Sequence, residues 1–188
     1  MRALVVYESM FGNTRQIAEA IADGLADHGE TAVVNINSIA VGDVEAADLM
    51  VVGGPTHVHG MSRESTRAEA VTWALDPAKR LTLEPEAPGR GIRDWVQDPA
   101  TVVAPLFAAF ATRGNVPVIL SGNAAVQIDR ALHRRATRRV VPSENFIVTN
   151  DNHLLGEEII RARGWGCRVG KAASDLLAST AATPGARL

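Results

Sequence analysis

Residues Ser9-Met10-Phe11-Gly12-Asn13-Thr14 put two hydroxyls, an amide and a glycine directly before a helical pattern, a combination suited to holding an anion. The run Leu4-Val5-Val6-Tyr7 ahead of them reads as a strand buried on both faces. Behind them Ile17, Ala18, Ile21, Ala22 and Leu25 recur at helical spacing, and Gly29 stops the helix. A turn between a strand and a helix points free backbone N–H groups out of the first helical turn, where the helix dipole favours negative charge. Ser9 and Thr14 add hydroxyl donors, Asn13 adds an amide, and Gly12 lets the backbone approach a ligand. A nucleoside-triphosphate loop would end in Gly-Lys-Ser/Thr, and no lysine stands near. A dinucleotide loop would need Gly-x-Gly-x-x-Gly, and only Gly12 is present. A hydroxyl-rich loop without a cation suits a single terminal phosphate. A Ser/Thr-rich helix cap without a ligand is the plainer alternative at this point.

A second stretch, Gly53-Gly54-Pro55-Thr56-His57-Val58-His59-Gly60-Met61-Ser62, leaves a buried apolar run and enters another helical pattern. As metal ligands, His57 and His59 would need a further convergent donor, which the sequence does not show. They remain open to two readings, solvated loop residues or ligand contacts that change charge near pH 6.5. A third stretch, Phe110-Ala111-Thr112-Arg113-Gly114-Asn115, ends a later apolar run. The basic residues Arg130, His133, Arg134, Arg135, Arg138 and Arg139 read as a solvated face, or as a docking site for an acidic redox partner or a nucleotide phosphate. No aromatic residues interleave them, so they do not suggest nucleic acid.

The loop Ser9–Thr14 resembles the phosphate loop of the flavodoxin superfamily, Thr/Ser-x-Thr-Gly-x-Thr, with Ser9, Gly12 and Thr14 matching and Phe11 in place of the middle threonine. FMN-dependent quinone reductases of that superfamily carry Ser-Met-Tyr-Gly here. Their next loop reads Gly-Thr-Pro-Thr-Arg-Phe-Gly-Asn-Met-Ser, which Gly53, Pro55, Thr56, Met61 and Ser62 match. The resemblance implies FMN as cofactor, with Ser9, Met10, Phe11, Gly12, Asn13 and Thr14 around its phosphate. It puts Pro55, Thr56, His57, Val58, His59 and Gly60 at the isoalloxazine edge, and Thr112 and Arg113 on its other side. Gly60 is the residue between Pro55 and Met61 that takes a positive φ without penalty, so a peptide that reorients is expected there.

Electron-carrier flavodoxins stack Trp and Tyr on the flavin, and no aromatic residue clearly fills those places here. Phe110, Trp73, Trp95, Trp165 and Tyr7 read as core. Electron transfer and FMN-dependent oxidoreduction therefore both stand, the latter with a nicotinamide nucleotide as donor or a quinone as acceptor. A flavodoxin-like fold that has lost FMN and serves as an interaction module is the alternative. A phosphoacceptor receiver domain fits poorly, because Gly53 and Gly54 stand where its aspartate would be.

The elements that must position these loops follow from pattern. The chain has 188 residues, 46% hydrophobic, with a net charge of −2, as expected of one globular domain over 1–188 with no pull toward nucleic acid or membrane. Cys167 is the lone cysteine. The longest apolar run, Val102 to Ala111, is too short to span a bilayer, and the N-terminus enters a strand without a leader, so a cytoplasmic protein is expected. Homo-oligomerisation is left open.

Strands are expected at the N-terminus, at 31–36, 49–53, 105–111 and 139–149, the last interrupted at Pro142. Helices are expected after the first loop, at 62–75 with Ser62 as N-cap, at 91–97, 121–135 and 157–178, with a frayed tail from Ser179. In the last helix, Ala162, Gly166, Gly170 and Ala173 suggest close approach to the sheet. Alternating strands and helices predict an α/β, doubly wound five-stranded parallel sheet of flavodoxin-like order 2-1-3-4-5, with helices on both faces. That order brings the three loops together at the carboxyl ends of the strands.

Overall fold

The computed structural model of the chain describes residues 1–117, 122–135 and 137–181. In chain order the elements are β1 (Arg2–Tyr7), α1 (Asn13–Leu25), β2 (Glu30–Asn35), α2 (Val41–Glu45), β3 (Leu49–His57), β4 (Gly60–Met61), α3 (Glu64–Ala74), α4 (Ile92–Gln97), β5 (Leu106–Gly114), α5 (Ala124–His133), β6 (Arg138–Arg139), β7 (Glu144–Val148) and α6 (Glu158–Ala181). The sheet runs β2-β1-β3-β5, all parallel, and β6 and β7 both pair with the outer side of β5. This is the expected winding, with two additions. β4 folds back antiparallel on β3, and the last strand is split into β6 and β7 around Pro142, which has no N–H to give the ladder.

Side-chain alternation along the central strands builds two cores. Ala3, Val5, Leu49, Val51, Ala108 and Phe110 face one side, where Ile17, Ile21 and Leu25 of α1 and Trp165 and Val169 of α6 cover them. Leu4, Val6, Met50, Val52, Phe107 and Ala109 face the other, under Val44 of α2, Ile92, Trp95 and Val96 of α4, and Ile128 and Leu132 of α5. Phe110, Phe146 and Trp165 meet edge to face or tilted, with centroids 6.3–6.4 Å apart.

The small-residue stripe of α6 makes its close approach to α1 rather than to the sheet. A Cβ on Gly166 would overlap the Ile21 carbonyl, and one on Gly24 would overlap the Arg163 carbonyl. Reciprocal glycines thus let the two helix backbones touch.

Several expected boundaries move. Arg63, not Ser62, occupies the N-cap position of α3, because the Ser62 hydroxyl is drawn inward to donate to Glu8 Oε1. The helix expected from Ser121 begins at Ala124, capped by Asn123, whose side chain accepts from Val126 N at 3.1 Å; Ser121 itself lies outside the described residues. α6 runs through Ala181, so residues 179–181 are helical rather than frayed, and the rest of the expected tail lies outside the described residues. Segment 62–91 is an excursion that packs on the first loop instead of on the sheet. Ala70 and Ala87 form a small cluster with Met10, flanked by Phe11 and Leu83, and Glu84 N donates to the Met10 carbonyl at 2.8 Å. Among the described residues no helix is long and apolar enough to cross a membrane.

Candidate functional site

A cleft of about 300 Å³ opens at the carboxyl ends of β1, β3, β5 and β7. This is the switch point of the winding, where β1 leads to β2 on one side and β3 lies on the other. Three predicted loops meet there. The first contributes Ser9, Met10, Phe11, Asn13 and Thr14, the second Pro55, Thr56, His57 and Val58, and the third Thr112 and Arg113.

The first loop turns at Gly12, which holds φ +89° and so occupies the region that disfavours a side chain. Gly12 N donates to Ser9 Oγ at 3.1 Å, which leaves the Ser9 hydroxyl proton to donate elsewhere. The hydroxyls of Thr14 and Thr112 lie 2.7 Å apart, one donating to the other, so the pair keeps one O–H to spare. Asn13 Nδ2 donates to the carbonyl and the Oδ1 of Asn152, at 3.0 and 2.9 Å. The N-terminus of α1 carries no side-chain cap and no acidic residue in its first turn, although Asn13 and Thr14 are buried. A buried helix start without a capping partner leaves its N–H groups for a ligand. The Glu84 carboxylate comes near Gly12, and Arg15 Nε donates to it at 2.6 Å, offsetting its charge.

Gly12, His59 and Gly60 do not line the cleft. Gly12 forms the turn beneath it. His59 is exposed and bridges to Gly122 instead. The hairpin is pinned to α5, since Met61 N donates to Gln127 Oε1 at 3.1 Å and Gln127 Nε2 donates to the His59 carbonyl at 3.2 Å. A Cβ on Gly60 would overlap the Gln127 amide. The left-handed residues of this turn are Val58 (φ 38°) and His59 (φ 72°), so the conformational freedom expected at Gly60 is demanded of its two neighbours.

His57 lines the cleft, and burial, aided by the nearby Arg67 guanidinium, pulls its pKa down to about 4. The charge change expected near pH 6.5 therefore does not belong to this residue. Behind it lies a buried polar cluster. Glu8 accepts from Ser62 Oγ and, at 2.7 Å, from Ile92 N. Arg67 Nη1 donates to Ser62 Oγ at 3.2 Å, and its Nη2 to Asp94 at 2.8 Å. Burial raises the Glu8 carboxyl above its ordinary value, and the hydrogen bonds from Ser62 and Ile92 pull it back in part.

Gly114 of the third stretch also lines the cleft, while the sequence reading missed Glu69 and Trp73 on α3, Val148 at the end of β7, and Asn152. Trp73, expected in the core, is 39% exposed and forms a cleft wall. α3 buries only Arg67 and Ala70, so its pattern gave no face to read. Asn152 carried a signal, because Asn150-Asp151-Asn152 is turn chemistry and Asn152 takes φ 59°. Trp95, Trp165 and Phe110 are core, as expected. Among the described residues no three His, Cys, Asp or Glu side chains group to hold a metal ion.

The sequence model of the flavodoxin family matches residues 5–87, which include the first two loops. No curated protein matches the chain. Among solved structures, a flavodoxin from the domain Archaea is 17% identical with a TM-score of 0.60, the match covering 92% of this chain and 99% of that one. Oxidised flavodoxin 2 from Bacillus cereus is also 17% identical, with a TM-score of 0.61 over 91% of this chain and 99% of that one. The flavodoxin, WrbA-like protein from Agrobacterium tumefaciens is 18% identical, with a TM-score of 0.58 over 93% and 98%. At these identities the likeness is one of fold.

Proposed function

Because the fold is flavodoxin-like and the flavodoxin family model matches residues 5–87, we propose that the chain is a member of the flavodoxin-like superfamily, binds FMN in the cleft at the start of α1 and acts as an FMN-dependent oxidoreductase. The observation that carries this reading is the buried, uncapped N-terminus of α1, with no carboxylate in its first turn. The phosphate would take the N–H groups of that turn and the spare protons of Ser9 and of the Thr14–Thr112 pair. Bound flavin supplies hydride and single-electron chemistry. Thr56, His57 and Val58 form the opposite rim of the cleft, and Phe11 and Trp73 supply apolar walls. His57 stays neutral at ordinary pH, so the cleft gains no positive charge from it.

An oxidoreductase needs room for a second reactant. A neighbouring cavity of about 770 Å³ shares Phe11, Trp73 and Asn152 with the cleft and offers that room to a quinone or a nicotinamide ring. A plain electron carrier would need only an exposed flavin edge. The FMN-free interaction module draws its support from Asn13 and Thr14, whose side chains are already engaged by Asn152 and Thr112.

Titration of the protein with FMN and with riboflavin separates the FMN readings from the interaction module. Each hydrogen bond lost to a charged acceptor costs about 1.5–3 kcal/mol. Ser9→Ala plus Thr14→Ala is expected to weaken FMN by that order while leaving riboflavin little changed. Equal losses for both ligands place the phosphate elsewhere, and no binding of either favours the interaction module.

A further inference from the structure

Where β4, α4 and α5 meet, a second groove of about 510 Å³ is lined by Arg63, Arg93, Arg130, Arg134 and Arg135, and by no acidic side chain. Elsewhere arginines find carboxylates, as Arg2, Arg15, Arg67, Arg90, Arg139 and Arg161 do. Among the described residues, none of the five in the groove forms an ion pair.

Two of them are fixed by backbone carbonyls, which orient a guanidinium without cancelling its charge. Arg93 donates to the carbonyls of Ser62 at 2.9 Å and Met61 at 2.6 Å. Arg135 donates to those of Asp98 at 2.8 Å, Pro99 at 3.2 Å and Thr101. The nearby Asp98 carboxylate is taken by Arg90 at 2.9 Å. Arg63, Arg130 and Arg134 are exposed. Burial and the like charge of Arg63 hold the Arg93 guanidinium below its usual range.

The dipole at the end of α5 accounts for Arg130 and Arg134. It does not account for Arg63 at the start of α3 or Arg93 on α4, which converge on the same groove from other parts of the chain. Crowded like charges cost free energy until an anion fills the space between them.

We propose that this groove binds a di- or triphosphate group of the kind a nucleotide carries. Guanidinium forks match phosphate oxygens in pairs. The volume is that of a small-molecule site, whereas docking of an acidic protein would need on the order of 800 Å² of surface per partner. The site is separate from the cleft and does not depend on the flavin reading.

Isothermal titration of the full chain with inorganic pyrophosphate tests it, with a polyglutamate peptide in a parallel titration. Binding at one site, weakening as salt is raised, is expected. Arg130→Ala plus Arg134→Ala, both on the helix surface, should reduce the affinity roughly tenfold or more. Arg163→Ala plus Arg168→Ala on the exposed side of α6 should leave it unchanged, as should Ser9→Ala plus Thr14→Ala. Absence of binding overturns the proposal, and so does an equal loss in the α6 control. Loss of binding only in the Ser9/Thr14 variant would assign the anion to the cleft, overturning the groove while leaving the FMN reading intact. Tighter binding of polyglutamate than of pyrophosphate at the arginines would make the groove a docking face for an acidic protein instead.

Discussion

Two titratable residues, the half-buried His57 and the buried Glu8, carry opposite pH signatures. His57 has a folded pKa of about 4 against an unfolded value near 6.5, so between those values the unfolded chain binds the extra proton. Stability must then rise with pH through that window and be lost as pH falls from 6.5 toward 4, by on the order of 3 kcal/mol. Glu8 acts the other way. Its folded carboxyl is raised, so its contribution falls as pH rises above the ordinary carboxylate value. Urea denaturation of His57→Gln beside the wild type isolates the histidine, and the variant is expected to lack the acid-side loss. Identical pH profiles would mean that His57 is hydrated in the folded protein. Ser62→Ala tests the cluster behind it. Removing the Ser62 hydroxyl leaves Glu8 with one donor fewer, and should cost about 1–3 kcal/mol at pH 7. The loss should shrink toward acid, because the Ser62 hydrogen bond favours the ionised form of Glu8 over the protonated one. A loss that does not vary with pH would tie Ser62 to packing alone. None of this was readable in the sequence, because Glu8, the Ser62–Arg67 segment and Asp94 are far apart in the chain and only the fold brings them together.

At the scale of elements, the β3–β4 hairpin places its two left-handed residues at Val58 and His59, with Gly60 beside them. A β-branched residue at positive φ costs about 1–2 kcal/mol, which the pairing of β4 and the Gln127 bonds must offset. Val58→Asn, a residue that tolerates this region, is expected to raise stability by about 1 kcal/mol, read from the thermal or urea midpoint. An unchanged or lower midpoint would show that the valine side chain contributes something at the rim of the cleft that outweighs its strain. Strands and core helices were legible in the sequence because their periodicity reports burial, as in the alternation of Leu49–Val52 between the two cores. Most of the cleft lining from Ser9–Thr14 and Pro55–Val58 was to be expected because each stretch follows a buried apolar run, although β3 extends through His57 and takes Pro55, Thr56 and His57 into the strand. The hairpin geometry was not, since the sequence offers a glycine at the expected turn and tertiary pairing moves the turn one residue earlier. Trp73 and Asn152 were missed for a related reason. They reach the cleft from segments whose placement depends on packing against Met10 and Asn13 rather than on any pattern of their own.

Across the whole molecule, stability is unevenly distributed, and the cleft draws one wall from the weaker part. β1, β3 and β5 are buried on both faces between two continuous cores. The excursion 62–91 has only a small apolar cluster of Met10, Ala70 and Ala87, and is otherwise held by polar contacts: Glu84 N to Met10, the Arg15–Glu84 pair, Arg67, Ser62 to Glu8, and Asn37 to Glu86 and Arg90. Its helix α3 exposes most of its length. Few buried apolar contacts mean a low free energy of local opening. Hydrogen exchange in α3 is therefore expected to proceed through a sub-global opening, clearly faster than in β1, β3 and β5. Because Glu69 and Trp73 of α3 line the same cleft as Asn13 and Thr14, a ligand seated there binds the closed form and not the opened one. Its binding free energy must then be added to the cost of opening. Saturation with FMN should slow exchange in α3 by a factor that grows with ligand concentration, while exchange on the far side of the sheet from α3, at the α1–α6 contact, changes only as much as global stability does. If α3 already exchanges at the rate of the central strands, the excursion is part of the cooperative core. If FMN binds and α3 exchange is unmoved, the wall formed by Trp73 does not close on the ligand, and the cleft is open on that side in the bound state as well.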